Sequence, residues 1–104
     1  MKTYNKLVRD KIPNIIKANG DIPYTRILSD EKEYLIALID KLFEEAQELK
    51  DNPSLEELAD VLEVIYAIGK KLGFTTNQIE SARKEKKSLR GGFSNRVFLE
   101  KVDE

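Results

Sequence analysis

Two long amphipathic patterns, separated by only a few polar residues, constrain the fold of this chain most. Apolar residues recur at steps of three and four over residues 29–50 and again over 54–72, which predicts two α-helices. Because little more than Asp51, Asn52 and Pro53 lies between them, the helices are expected to fold back as an antiparallel hairpin. The expected core stripes are Leu35, Leu38, Ile39, Leu42, Ala46 and Leu49 on the first helix, and Leu55, Leu58, Val61, Leu62, Ile65, Ile68 and Leu72 on the second.

Two shorter helices are predicted outside the hairpin, near residues 12–19 and 76–89. Pro13 fits the first turn of the earlier helix, and Thr75 with Gln78 resembles a capping box at the start of the later one. The sequence therefore predicts an all-α fold in one domain over residues 1–104. Two segments outside these helices are expected to be a connector or short extended piece (23–28) and a glycine turn with a tail (90–102).

Acidic residues cluster on both sides of the predicted turn. At ~100° per residue, Glu45 and Glu48 lie on one flank of the first apolar stripe, and Glu57 and Asp60 lie on one flank of the second. Each pair has the i, i+3 spacing that lets two side chains share one ion. Clustered carboxylates repel unless protons or cations lie among them, and all-oxygen sites suit Mg²⁺ or Mn²⁺. The pattern predicts a metal site, the alternatives being a solvated acidic face and a capping box between Glu57 and Ser54.

The residue types present limit the chemistry further. The chain has no cysteine and no histidine, which excludes thiolate and histidine catalysis, zinc–histidine sites and iron–sulfur clusters. Any reaction must use carboxylates, Lys, Arg, Tyr, hydroxyl groups and a bound hard cation. The polar N-terminal stretch lacks an apolar run, so no signal peptide or membrane span is expected, and the expected location is cytoplasmic. A chain of 104 residues is also small enough to favour oligomerisation.

The net charge of −1 conceals a strong segregation of charge. Residues 21–82 hold fourteen acidic and six basic side chains, residues 1–20 hold one acidic and five basic, and residues 83–101 hold two acidic and seven basic. This layout suits a metal-bound polyanion better than a long nucleic-acid duplex. Ordinary uneven charge on a helical surface is the alternative. The candidate phosphate-binding residues are Lys6, Arg9, Lys86 and Arg90.

Three motifs together carry a resemblance to a known family. The EEAQE run at 44–48 followed by ELAD at 57–60 resembles the ExxE…ExxD signature of the all-α nucleotide pyrophosphohydrolases. The KLVRDKIP run at 6–13 and the RGGF run at 90–93 resemble one branch of small MazG-like proteins, often labelled phosphoribosyl-ATP pyrophosphohydrolase-like. The resemblance extends over nearly the whole chain. The segment between the two acidic motifs is shorter than in many members, which leaves little room for an extra loop over the base.

The resemblance implies a helical bundle completed by homodimerisation, with Mg²⁺ held by Glu45, Glu48, Glu57 and Asp60. It implies hydrolysis of a nucleoside triphosphate, canonical or not, to the monophosphate and pyrophosphate. With no histidine available, a glutamate must take the proton of the attacking water, and the candidates are Glu44, expected further toward solvent, and Glu48. The alternative functions are phosphoribosyl-ATP hydrolysis and a non-catalytic helical module that senses nucleotides or binds a basic protein.

Overall fold

The computed structural model describes residues 1–103, which form helices and irregular segments and no β-strand. The prediction of an all-α fold is therefore confirmed, and helix bounds agree with the predicted ones to within two residues. Residues 23–28 are an irregular connector. No helix of the described part is long and apolar enough to cross a membrane. The helices are α1 (Ile12–Ala18), α2 (Glu31–Asp51), α3 (Leu55–Lys71) and α4 (Thr76–Arg90).

Helices α2 and α3 form the antiparallel hairpin that the sequence predicts. At one end the chain turns within three residues, and Ser54 Oγ accepts a hydrogen bond from the Glu57 N–H at 3.2 Å, capping α3. At the other end Lys71 forms an ion pair with Glu31. The N-cap of α2 is Asp30, one residue later than the predicted start at Ser29. The hairpin thus places the end of α2 beside the start of α3, where the acidic residues cluster.

The core stripe predicted for α3 is partly wrong. Val64 is the buried apolar side chain of this helix, and Leu38 is the buried apolar side chain of α2. Steps of three and four residues generate two adjacent apolar faces on α3, and spacing alone does not tell which of them faces α2. Four predicted core leucines instead are between 45% and 82% exposed in a single chain: Leu55, Leu58, Leu62 and Leu72.

The exposed apolar residues of the hairpin lie on one side of it. Counted at ~100° per residue, three residues of α2 are rotated roughly 100–160° from Leu38, and two residues of α3 are rotated in the same sense from Val64. Because α2 and α3 run antiparallel, side chains that are rotated in the same sense from Leu38 and from Val64 lie on the same side of the helix pair. The acidic side chains of the cluster are rotated in the opposite sense, or they point in nearly the same direction as Leu38 and Val64. We call this surface the outer apolar face; it consists of Ile36, Ile39, Phe43, Leu58 and Leu62.

Helix α4 joins the hairpin at one close contact. Thr75 and Gln78 form the predicted capping box at its start, and the chain packs there against buried Gly69 of α3. A Cβ atom built on Gly69 would overlap the Cδ1 atom of Ile79. Beyond that contact α4 diverges, and residues 81–103 are exposed throughout. The glycine at position 69 therefore fixes where α4 leaves the hairpin.

Adding a methyl group at this contact is expected to destabilise the fold. Gly69→Ala should lower the free energy of unfolding by about 1–3 kcal/mol, because the new Cβ displaces Ile79, despite the better helix propensity of alanine. Ile79→Val, which removes the overlapping Cδ1 atom, should recover most of that loss when combined with Gly69→Ala. Urea unfolding of the two single variants and the double variant measures the coupling. If the changes in unfolding free energy of the two single variants simply added in the double variant, the close contact between Gly69 and Ile79 would be contradicted.

Candidate metal centre

Three carboxylates from the two helices of the hairpin converge at its turn. One oxygen from each of Glu45, Glu57 and Asp60 lies within 4.8 Å of the others. Glu45, on α2, is buried, whereas Glu57 and Asp60, one turn apart on α3, are half-buried. These three belong to the four acids that the sequence selects as metal ligands. Three converging oxygens from two rigid helices are a donor set that Mg²⁺ or Mn²⁺ accepts.

Two oxygens of this cluster are buried without a hydrogen-bond partner in the described chain: Glu45 Oε2 and Glu57 Oε2. A buried carboxylate oxygen without a partner is costly, and such atoms call for a cation or a proton. The capping-box alternative for Glu57 does not account for it. Ser54 caps the helix, yet within residues 1–103 no hydrogen bond runs from the Ser54 N–H back to the Glu57 side chain. Glu57 is therefore free to serve the cluster.

The environment of the cluster disfavours negative charge. Burial raises the pKa of Glu45, and the neighbouring Glu48 carboxylate raises it further, against the opposing effect of Lys41. Partial removal from water likewise raises the pKa of Glu57, and the charges of Asp60 and Glu45 add to the shift. Raised carboxyl pKa values in a close group of acids are the expected result of like-charge repulsion. A bound divalent cation would reverse this effect.

Glu48, the fourth predicted ligand, lies beside the group rather than within it. Its side chain is exposed, and no oxygen of Glu48 belongs to the three-residue group. Its negative charge nevertheless contributes to the raised pKa of Glu45. Glu48 therefore borders the cluster on the solvent side, where a carboxylate can contact a water molecule.

Glu44 is more enclosed than its helical position suggests. Its carboxylate accepts hydrogen bonds from Lys6 Nζ at 2.6 Å and from Lys41 Nζ at 3.3 Å. Partial burial opposes the shift, but the hydrogen bonds from the two lysines lower the pKa of Glu44 below its ordinary value of 4.5. Lys41 is not among the predicted site residues, although it lies three and four residues before Glu44 and Glu45 and pairs with both. Helical i, i+3 and i, i+4 spacing was the available signal.

The N-terminal segment brings two of the predicted phosphate-binding residues to the cluster. Arg9 donates a hydrogen bond to Asp60 Oδ1 at 2.7 Å, and Lys6 pairs with Glu44, so the segment before α1 lies across the acidic side of the hairpin. Lys86 and Arg90 are on the diverging half of α4. Neither forms an ion pair with the acidic cluster in the described part of the single chain.

An open cleft lies along the later part of α3, and none of the three clustered acids lines it. It has a volume of about 670 Å³, within the range of small-molecule sites. Glu63, one turn beyond Asp60, and Asp10, next to Arg9, line the end of the cleft near the cluster. The remaining lining residues combine aromatic rings with basic and hydroxyl side chains: Tyr34, Tyr66, Ala67, Lys70, Lys71, Phe74, Thr75 and Thr76. A planar ring with polar substituents fits such a lining.

Comparison with known proteins adds one partial relative. No protein-family model matches the chain, and no solved structure matches it. A stretch of 45 residues is 53% identical to part of an uncharacterized protein of Mycolicibacterium smegmatis, covering 43% of this chain and 45% of that protein. The match therefore spans less than half the length of the relative. Fold and geometry together define an all-α chain with a carboxylate cluster suited to a hard divalent cation.

Proposed function

We propose that this chain is a MazG-like, Mg²⁺-dependent nucleoside triphosphate pyrophosphohydrolase that releases the nucleoside monophosphate and pyrophosphate. The observation that carries the proposal is the convergence of Glu45, Glu57 and Asp60 within 4.8 Å, with unpartnered buried oxygens on two of them. The absence of histidine and cysteine leaves oxygen ligands and a hard cation as the available chemistry. The motifs at 44–48 and 57–60, together with those at 6–13 and 90–93, resemble the motifs of the nucleotide pyrophosphohydrolases.

The positions of the surrounding side chains support distinct roles. Glu45, Glu57 and Asp60 would hold Mg²⁺, which when bound would neutralise charge on the triphosphate. Glu48, exposed beside the cluster, is the better placed candidate to accept a proton from the attacking water. Glu44 is engaged by two lysines, which hold it ionised and favour a supporting role for it.

The cleft beside the cluster supports a nucleoside as the organic part of the substrate. Tyr34, Tyr66 and Phe74 offer ring faces and edges for a base, while Lys70 offers a cationic group at the rim. Glu63, one turn beyond Asp60, and Asp10, next to Arg9, are the cleft residues nearest to the cluster along the chain. We propose that the base occupies the cleft while the triphosphate extends from it to the acids. This arrangement favours a nucleotide over a basic protein as the ligand.

The proportions of the single chain support homodimerisation. Its radius of gyration is 17.9 Å, compared with about 13 Å for a compact chain of ~100 residues. Its accessible surface is 9765 Å², compared with roughly 6,000 Å² for a folded monomer of this mass. No large side chain is fully buried in the described chain. We therefore propose that a second copy completes the core, as in the bundle that the sequence motifs imply.

The proposal is tested by a screen of canonical and modified nucleoside triphosphates, together with phosphoribosyl-ATP, for pyrophosphate release with Mg²⁺ and with Mn²⁺. Pyrophosphate and the monophosphate should appear in equal amounts and should require the metal. Metal-dependent nucleotide binding without pyrophosphate release would instead identify a nucleotide-sensing module. Salt-sensitive binding of basic proteins without any Mg²⁺ dependence would identify a protein-binding module.

Arg9 gives a specific prediction within this function. Arg9→Ala is expected to lower kcat/KM for the triphosphate about 10- to 100-fold, because a charge-assisted hydrogen bond to phosphate is lost. The metal concentration required for half-maximal activity should not rise, because Arg9 pairs with Asp60 and its removal frees that carboxylate. Steady-state kinetics at varied substrate and Mg²⁺ measure both quantities. Arg26→Ala is the matched control, since Arg26 pairs with Glu33 away from the cluster; equal kcat/KM for the two variants would contradict the role of Arg9.

A further inference from the structure

The last part of the chain is rich in apolar side chains that are largely exposed in the single chain. We call residues 83–103 the C-terminal arm: the diverging half of α4 followed by an irregular tail that starts at Gly91, where φ is +84°. Every residue of the arm is exposed. Six large apolar side chains within it are at least 64% exposed: Leu89, Phe93, Val97, Phe98, Leu99 and Val102. A permanently solvated tail has few aromatic and branched side chains, so this composition indicates a segment that is covered.

The hairpin carries the complementary surface. The outer apolar face lies on the side away from the acidic cluster, and its five side chains are between 36% and 71% exposed. The arm has seven basic and three acidic residues, whereas residues 31–71 of the hairpin have eleven acidic and five basic residues. Because these acids lie off the outer apolar face, charge attracts the arm to the hairpin as a whole, and the apolar side chains select the face.

The arm does not lie on its own hairpin. Helix α4 contacts α3 near Gly69 and Ile79 and then diverges, and the structure extends to 57 Å in its longest dimension. Within residues 1–103, no hydrogen bond or ion pair joins residues 84–103 to α1, α2 or α3. The excess surface of the single chain also exceeds what one partner contributes to a standard interface, about 800 Å².

We propose that the C-terminal arm of each copy packs on the hairpin of a second copy, with its apolar side chains on the outer apolar face. The exchange is reciprocal, because a two-fold arrangement places the same two surfaces in contact twice. Because the outer apolar face lies away from the acidic cluster, docking there leaves Lys86 and Arg90 on the other side of the partner hairpin from the cluster. The docking of the arm does not depend on the proposed catalytic function.

The absence of native cysteine allows a direct test by site-specific photocrosslinking. A Phe98→Cys chain is labelled with a benzophenone maleimide, and unlabelled and ¹⁵N-labelled preparations are mixed through unfolding and refolding. After irradiation, mass spectrometry should find the crosslinks on residues 36–43 or 55–62. Because random exchange pairs the two isotopes in about half of the dimers, about half of the crosslinked peptides should join a light chain to a heavy one. Crosslinks confined to one isotope, or absent from the hairpin, would overturn the proposal.

A second measurement applies if the label at position 98 disturbs folding. Sedimentation equilibrium should show that Phe98→Asn weakens the dimer at least tenfold, because an apolar anchor is lost. Ser94→Asn introduces the same amide at a polar position of the arm and should leave the dissociation constant within twofold of the wild-type value. Equal dissociation constants for the two variants would overturn the proposal. Both experiments are independent of catalysis, so an inactive chain with an exchanged arm would refute the proposed function alone.

Discussion

Replacing Glu45 with glutamine is expected to reduce metal-dependent pyrophosphate release by at least about 100-fold, a loss typical of removing a key electrostatic group from an active site. Glu45 is the buried member of the cluster and extends from α2 toward the two carboxylates of α3. Glutamine keeps the shape of the side chain but removes the charge that a divalent cation requires. Asp60→Asn should have a comparable effect.

The same substitution should leave the fold intact and more stable at neutral pH. Because burial and neighbouring charge raise the pKa of Glu45, its ionised form is less favourable in the folded chain than in water, and a neutral replacement relieves that cost. Lys41 keeps Glu44 as a partner. Glu56→Gln, at an exposed position beside Glu57 on α3, is the matched control and should retain wild-type activity. Wild-type rates for Glu45→Gln at saturating Mg²⁺ would show that this acid is not a metal ligand.

Local signals in the sequence were sufficient to predict the helices and the convergence of three of the four predicted acids at the turn of the hairpin. Three of these features depend only on residues close together in the chain. They are the helix start at Pro13, the Thr75–Gln78 capping box and the short turn before Ser54. The hairpin follows from that turn, and it brings Glu45 to Glu57 and Asp60. Predictions of this kind succeed because helix geometry and a three-residue connection leave few alternatives.

The sequence did not determine which apolar face of α3 packs inside a single chain. Leu58 and Leu62 have the same spacing as a core stripe, yet they are exposed, and Val64 is buried instead. A face buried against a neighbouring helix and a face available to a second copy have the same apolar composition. Only the tertiary packing therefore shows which of the two faces is buried within the single chain.

Long-range ion pairs were equally inaccessible to a reading of the sequence. Arg9 reaches Asp60 and Lys6 reaches Glu44 across 51 and 38 residues of chain, and no local pattern specifies such pairs. The helical periodicity also predicted that Glu44 faces solvent. A repeat within α2 carries no information about the N-terminal segment, which covers this side chain. The position of Glu48 at the edge of the cluster depends on side-chain direction, which spacing alone does not give.

Mg²⁺ is expected to raise the midpoint of thermal unfolding by about 10–20 °C when its concentration is 100-fold above the dissociation constant. Binding to the folded chain alone then contributes about 2.7 kcal/mol, and each kcal/mol shifts the midpoint of a domain this small by about 4–8 °C. Thermal unfolding followed by circular dichroism measures the shift. Glu45→Gln should lose most of it, and Glu56→Gln should keep it. Equal shifts for wild type and Glu45→Gln would show that Mg²⁺ stabilises the chain elsewhere.

The response of stability to pH should depend on the metal. Without Mg²⁺, the raised pKa values of Glu45 and Glu57 mean that the folded chain binds more protons than the unfolded chain between the ordinary carboxyl pKa of 4.5 and the raised values. The free energy of unfolding should therefore increase as the pH falls from 7 toward 5. Glu44 opposes this trend only at lower pH, because its pKa lies below 4.5 and its stabilising contribution is lost as it becomes protonated.

With Mg²⁺ bound, protons compete with the cation for the same oxygens, so acidification over the same range should lower the unfolding midpoint instead. Midpoints measured from pH 5 to 7 with Mg²⁺ and with a chelator should thus converge toward the acidic end, and a constant difference across that range would show that these carboxylates do not bind the metal.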